Sequence, residues 1–192
     1  MKKLTDREKF LADAKLGEKH FSDGMYAFSM FMVEYFSRVQ SNLKIDYESF
    51  MIVQITITHV IYQSKKKTDK NAKNYLEMES LWEEAITKYA YRNVLEESEK
   101  SSNKMKSNKL TISSISLILN LPKETVRRKI INLTKKKILN YDNKLGVNIG
   151  EGYKKIFSNF VPTTILKLTK MIKNFEKSGA LKALLNLNTQ DL

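Results

Sequence analysis

The chain of 192 residues contains no cysteine and only two histidines. Without cysteine it has no disulfide, no thiolate nucleophile, and no thiolate-bound zinc or iron–sulfur cluster. His20 and His59 leave little material for a metal site or a histidine base. No Gly-rich phosphate loop, paired-carboxylate constellation or nucleophile–base pattern stands out in the remaining sequence. We therefore expect a protein that is not an enzyme and has no cofactor or metal.

Long hydrophobic runs are also absent. The most apolar stretch, residues 25–36, is about 12 residues long and contains Glu34, whereas a membrane-spanning helix needs roughly 20 apolar residues. The first 19 residues are charged throughout and lack the apolar segment of a secretory signal. Together with the missing cysteines, these features predict a cytoplasmic protein with no membrane partner.

Glycine and proline are scarce, with six and two residues, so long helices are expected. Apolar residues at helical spacing predict three helices in the first 100 residues, over about 25–41, 46–62 and 75–97. Asp46 can cap the second helix, although residues 53–58 alternate as a strand would. The aromatic and methionine side chains of the first helix indicate a core or a dimer interface, or else an effector pocket.

Basic residues are concentrated in one half of the chain. Residues 1–100 hold 16 basic and 16 acidic side chains, whereas residues 101–192 hold 18 and 5 and so carry the whole net charge of +13. Such asymmetry is typical of a region that faces nucleic acid or a membrane. The change coincides with a polar, linker-like segment over 98–109. We predict a helical dimerisation or sensing domain over 1–100 and a basic domain over 101–192.

Two short helices joined by a tight turn are predicted at the start of the basic half. Thr111 can cap the first, which runs to Leu119 with Ile115, Ile118 and Leu119 pointing inward. Asn120 follows, and asparagine tolerates the left-handed conformation that ends a helix sharply. Pro122 suits the first turn of the next helix.

The second helix, about 122–135, has a buried side and a polar side. Val126, Ile130 and Leu133 form one apolar stripe. The polar residues of the first two turns lie off that stripe: Lys123, Glu124, Arg127 and Arg128. This arrangement predicts a helix-turn-helix whose second helix enters the major groove of DNA.

A β-hairpin is predicted directly after this helix. Residues 138–141 and 145–149 are strand candidates, separated by the turn 142–144. A hairpin at this place is the wing of a winged helix, and its tip would bring Asn143 or Lys144 to the phosphate backbone. Lys135, which begins a run of three lysines, is a further candidate for phosphate contact.

One run of the sequence resembles the winged-helix DNA-binding domain of the Crp/Fnr-type transcription regulators: Ile115-Ser116-Leu117-Ile118-Leu119-Asn120-Leu121-Pro122-Lys123-Glu124-Thr125-Val126-Arg127-Arg128. Their recognition helix carries a Ser-Arg-Glu-Thr-Val-x-Arg motif. The resemblance covers residues 110–149 only and does not include the cyclic-nucleotide barrel of that family. The winged helices of MarR- and GntR-type regulators fit the segment nearly as well.

The resemblance implies that Lys123, Glu124 and Arg128 reach base edges and that Thr125 holds a phosphate. The departures from the motif also have consequences. Lys123 replaces an arginine and lacks its two-pronged donor for guanine. The other departures are Pro122 at the capping serine, Lys129 at a position that is usually apolar, and Lys137 at the common glycine before the wing.

The C-terminal segment, about 162–187, is predicted to be helical. Thr163 or Thr164 would cap a helix to about Lys177, and a break at Ser178-Gly179 would precede a second helix. These helices would either pack on the winged helix or form a dimer interface.

The resulting expectation is a mainly α protein: a helical N-terminal domain, then a winged helix-turn-helix with a small β-hairpin wing and C-terminal helices. We expect a homodimeric transcriptional regulator that binds double-stranded DNA, with an effector or protein partner at its N-terminal domain. The alternatives are a plasmid or phage replication initiator and a protein–protein interaction module. The expected DNA-binding residues are Lys123, Glu124, Thr125, Arg127, Arg128, Lys135, Asn143 and Lys144.

Overall fold

The computed structural model describes residues 21–65, six positions between 76 and 84, and residues 109–186. Within these ranges the chain forms seven main helices and one antiparallel hairpin, which confirms the mainly α class with a β-hairpin. The elements are α1 (Phe21–Leu43), α2 (Tyr47–Lys65), α3 (Ile112–Leu119), α4 (Lys123–Lys135), β1 (Leu139–Asp142), β2 (Gly146–Ile149), α5 (Tyr153–Phe157), α6 (Phe160–Lys177) and α7 (Ala180–Leu185).

The chain divides by its contacts into two compact units. One is Leu43–Ser158, and the other combines Met1–Asn42 with Asn159–Leu192. This division differs from the predicted boundary near residue 100, because α2 packs against α3, α4 and β2 and so belongs with the basic segment. His20, Trp82 and the predicted linker up to residue 108 lie outside the described residues.

Helix α2 provides one wall of the core of the first unit. Its buried side chains include Phe50, Ile52 and Val53. The alternating pattern that resembled a strand is helical here, because burial against three neighbouring elements outweighs the preference of β-branched residues for strands. Asp46 caps the helix as predicted, since its Oδ1 accepts a hydrogen bond of 2.8 Å from the Ser49 amide.

The second unit brings α1 together with the two C-terminal helices. Gly24 lies so close to α7 that a Cβ atom at this position would meet the Ala180 Cβ at 2.6 Å. Further along α1, the Tyr35 and Phe160 rings lie 5.6 Å apart, and Glu34 forms an ion pair of 2.7 Å with Lys167. The C-terminal helices thus pack on α1, and each of these contacts lies within this one unit.

The start of α6 differs from the prediction. The helix begins at Phe160, so neither Thr163 nor Thr164 caps it. Both hydroxyls lie inside the helix and donate 2.8 Å hydrogen bonds to carbonyls four residues earlier. Proline does not prevent this earlier start, since Pro162 stands in the first turn, where its missing N–H is not needed. The predicted break is confirmed by Gly179, with φ of 77°.

Candidate nucleic-acid interface

Helix α3 is capped at its start, and hydrogen bonds hold the turn that joins it to α4. Thr111 caps α3 in a reciprocal arrangement with Ser114, whose amide lies 3.1 Å from the Thr111 hydroxyl. Asn120 ends the helix in the left-handed conformation, with φ of 51°. The Ser116 hydroxyl then donates a 2.6 Å bond to the Leu121 carbonyl across the turn. The buried Ser116 side chain therefore helps to hold the turn by a hydrogen bond.

The inward side of α3 is narrower than predicted. Ile115 is fully buried, but Ile118 is 62% exposed, so the expectation that it points inward is wrong. The helix ends one residue later and is covered on one side only, which leaves its last turn facing solvent next to Leu117. Two adjacent large apolar side chains are thus exposed on α3.

Helix α4 presents its polar side to solvent. Val126, Ile130 and Leu133 are buried, as the stripe predicted, and they fix the rotation of the helix about its axis. The expected base-reading and nearby side chains Lys123, Glu124, Arg127 and Arg128 are exposed, and Thr125 is half-buried. Four of the five candidates in the first two turns of this helix therefore lie at its accessible surface.

Two of these candidates are paired with each other. The Arg127 Nε and Nη2 atoms donate to the two oxygens of Glu124 at 2.9 and 2.8 Å. The hydrogen bonds from Arg127 lower the pKa of the Glu124 carboxyl, and those to Glu124 raise the pKa of Arg127. Both side chains remain more than half exposed. Glu124 is thus an ionised carboxylate at neutral pH, already bound to a guanidinium.

The lysines that follow α4 differ in what they contact. The Lys136 ammonium donates a 2.8 Å bond to the Lys44 carbonyl. Lys137 forms an ion pair of 2.7 Å with Glu151 and has a left-handed φ of 59°, which explains why glycine is common at this position. Lys135 is exposed on the last turn. All three lysines are exposed, but only Lys135 has no side-chain partner within the described residues.

The tip of the wing is ordered by local hydrogen bonds. The Asp142 carboxylate accepts from the Lys144 and Leu145 amides at 2.7 and 3.0 Å. The Asn143 side-chain oxygen accepts a 2.7 Å bond from the Tyr141 hydroxyl. Asn143 therefore helps to shape the tip, whereas the Lys144 side chain extends from it into solvent.

A lysine connects α4 to the start of α2. The Lys129 ammonium lies 2.8 Å from Asp46 and 2.9 Å from Glu48, with 20% of its side chain exposed. Partial burial pushes the pKa of Lys129 down, but its bonds to both carboxylates outweigh this and raise the pKa. The charge of Lys129, at a position that is usually apolar in the resembled family, thus holds α4 against α2. Sequence reasoning missed this contact, because its partners are more than 80 residues away.

Replacing Lys129 by methionine is expected to lower the free energy of unfolding by about 1 kcal/mol, a modest value because the two carboxylates are about half exposed and screened by water. Urea unfolding followed by circular dichroism measures the change. Lys135→Met is the matched control on the same helix and is expected to stay within about 0.5 kcal/mol of the wild type. Equal losses in the two variants would contradict the role of Lys129.

The same contact predicts a dependence of stability on acid. Partial burial pushes the pKa of Asp46 up, but the bonds from Lys129 and Ser49 outweigh it and the pKa lies below its usual value. Its stabilisation is therefore complete above the unfolded pKa and is lost as pH falls from about 5 through the folded pKa. Unfolding curves between about pH 3 and 7 should show a smaller acid-induced loss in Asp46→Asn, which no longer titrates. Parallel profiles would contradict the prediction.

Ile131 belongs to the outward side of α4 and was missed by the sequence reasoning. It lies one turn after Arg127 and is 36% exposed, although it is a large apolar residue. The spacing of the exposed residues, three and four positions apart, was the signal that could have identified it. The side of α4 turned to solvent therefore combines cations with one exposed apolar side chain.

No protein-family model, curated protein or solved structure matches the chain. The Crp/Fnr-type resemblance accordingly rests on the residues of the motif themselves. Over the described ranges, no helix is long and apolar enough to cross a bilayer. The same part of the chain contains no cluster of three or more histidine and acidic residues suited to a metal ion.

Proposed function

We propose that this chain binds double-stranded DNA and acts as a transcriptional regulator, with α4 in the major groove and the hairpin of β1 and β2 on the adjacent backbone. The proposal follows the resemblance of residues 110–149 to the winged helices of the Crp/Fnr-type regulators. It takes its main support from the distribution of charge, since residues 109–158 hold 11 basic and only 3 acidic side chains.

One observation carries the proposal: four exposed cations without a bonded partner in the described part of the chain lie on α4 and at the wing tip. Four other lysines of this unit are bound to acceptors, namely Lys129, Lys136, Lys137 and Lys154, whereas Lys44 and Lys155 are exposed elsewhere in the unit. The exposed group on α4 and the wing tip has no ion pair or side-chain hydrogen bond within the described residues: Lys123, Arg128, Lys135 and Lys144. Four cations without a bonded partner, on an accessible helix and the adjacent wing tip, suit a polyanion, because each phosphate they neutralise releases counterions.

The arginine and the lysines of this cation group are assigned different tasks. Arg128 stands at the arginine that closes the resembled motif, and its guanidinium can donate to guanine O6 and N7. Ile131, beside it, is suited to a thymine methyl group. Lys123, Lys135 and Lys144 are point charges suited to phosphates, which position a protein on DNA without reading its sequence.

Selection from a pool of random duplexes tests this assignment. Arg128→Ala is expected to lose about 5- to 150-fold discrimination at one base pair, with a modest loss of non-specific affinity. Lys144→Ala should weaken all sequences similarly and lower the salt slope by about 1. Wild-type binding by both variants to a selected duplex would show that α4 and the wing do not contact DNA.

A homodimer is part of the proposal. Large apolar side chains are exposed in the second unit, including Tyr26 and Val33 on α1 and Leu166 on α6, and such surface favours a protein contact. Two copies would present their groove helices about 34 Å apart, in successive major grooves. Sedimentation of the full chain tests this part, and a monomer at micromolar concentration would contradict it.

Leu117 and Ile118 favour a second candidate function, a winged helix that docks another protein. Both side chains are more than 60% exposed and adjacent on α3, where an apolar contact can form without α4. This candidate predicts little duplex binding at about 150 mM salt, whereas the DNA-binding proposal predicts a selected motif. The same selection therefore separates the two.

A further inference from the structure

The ion pair between Glu124 and Arg127 leaves one edge of the guanidinium unused. A guanidinium carries five N–H donors in a planar fork. Glu124 accepts from Nε and from one hydrogen of Nη2, along the side of the group. The end of the group, formed by Nη1 and the second hydrogen of Nη2, still has two parallel donors. That is the pattern that pairs with O6 and N7 of guanine.

We propose that Arg127 reads a guanine through this free edge and that Glu124 is a positioning residue for Arg127 and does not itself read cytosine. The inference rests on the proposed DNA binding. It assigns a reader to a position that the Ser-Arg-Glu-Thr-Val-x-Arg motif leaves open, since Arg127 occupies the x.

The electrostatics of the pair favour this assignment. A lone carboxylate on the outward side of α4 would be repelled by the phosphates of a bound duplex. Bound to Arg127 at 2.8 and 2.9 Å, its charge is balanced within the pair. If Glu124 turned away to accept from a cytosine amino group, Arg127 would lose two charge-assisted hydrogen bonds. The carboxylate is thus better accommodated near DNA as the partner of Arg127.

The pair also orders the arginine before it meets a base. An unpaired arginine loses rotamer freedom on binding, which lowers affinity and reduces the discrimination between bases. Two bonds across the i, i+3 spacing hold the guanidinium plane in place on an exposed surface.

Base preferences of single variants test the assignment. The wild type, Arg127→Ala, Glu124→Ala and the double variant are each selected against a random duplex pool and sequenced. Both single variants are expected to lose the guanine preference at the same base pair, by about 5- to 150-fold. The double variant should lose no more than Arg127→Ala, because the carboxylate acts through the arginine. Lys135→Ala is the control, expected to weaken every sequence without changing any base preference.

The outcomes separate the inference from the function on which it rests. Loss of preference at two different base pairs, or loss of a cytosine preference in Glu124→Ala alone, would overturn the positioning role while DNA binding stands. Arg127→Lys keeps the charge but not the fork, so it should fail to restore the guanine preference. Restoration by lysine would also overturn the inference. If the wild type enriches no motif at all, the proposed function itself fails.

Discussion

Replacing Gly146 by alanine is expected to destabilise the winged-helix unit by about 2–5 kcal/mol. Two costs combine at this residue. Its φ of 84° lies in the left-handed region that side chains disfavour. An added Cβ would also stand 2.4 Å from the Leu110 carbonyl oxygen, the group that accepts a 2.8 Å bond from the Val147 amide. The wing therefore cannot keep both its turn and its attachment to residue 110. Urea unfolding followed by circular dichroism measures the loss.

Gly179→Ala is the control that separates these two costs. Gly179 has a similar φ of 77°, but nothing lies within 4 Å of where its Cβ would stand. Its substitution should cost only the backbone strain, about 1–2 kcal/mol. The collision with Leu110 is then the difference between the two variants. Equal losses would mean that the wing adjusts to an added methyl group and that the close approach to Leu110 has no energetic weight.

Removing the four unpaired cations of α4 and the wing tip is expected to weaken binding to a random-sequence duplex by about 100- to 1,000-fold at about 150 mM salt, because each neutralised phosphate contributes about 0.9 to the slope of log K against log salt. The slope itself should become shallower by about 3, since three of the four cations are assigned to phosphates. Fluorescence anisotropy at several salt concentrations measures both quantities. The substitutions are Lys123→Ala, Arg128→Ala, Lys135→Ala and Lys144→Ala together.

A second variant with the same change in net charge serves as the control. Its four lysines are exposed and lie on α5, α6 and α7, namely Lys155, Lys170, Lys173 and Lys182. If position determines binding, their replacement by alanine should reduce affinity far less than the substitutions on α4 and the wing. Similar losses in both variants would indicate attraction to the total charge of +13 and not a localised interface.

The helix-turn-helix was predictable because its determinants are local. The cap at Thr111, the left-handed Asn120 and the stripe from Val126 to Leu133 each depend on residues within a few positions of one another. The hairpin followed from the short apolar runs on either side of a polar turn. These local preferences all agree, which is the condition under which sequence patterns indicate structure reliably.

Contacts between distant segments could not be read from these patterns. The packing of α2 on the basic segment, and with it the pairing of Lys129 to Asp46, depends on residues more than 80 positions apart. Which side of a short helix is covered depends on the same packing. For this reason the sequence pattern places Ile118 in the core, whereas the structure shows its side chain exposed. The Glu124–Arg127 ion pair could have been predicted, since the i, i+3 spacing of opposite charges is visible in the sequence.

Hydroxyl-radical footprinting of the full chain on a duplex enriched by selection tests the central claim most directly. At about 150 mM salt we expect protection of the backbone on both sides of one major groove for each copy of α4, and two such regions one helical turn apart for a dimer. The substitutions on α4 and the wing should abolish this protection. A folded wild-type chain that protects no part of any duplex under these conditions would contradict the assignment of α4 and its wing to DNA.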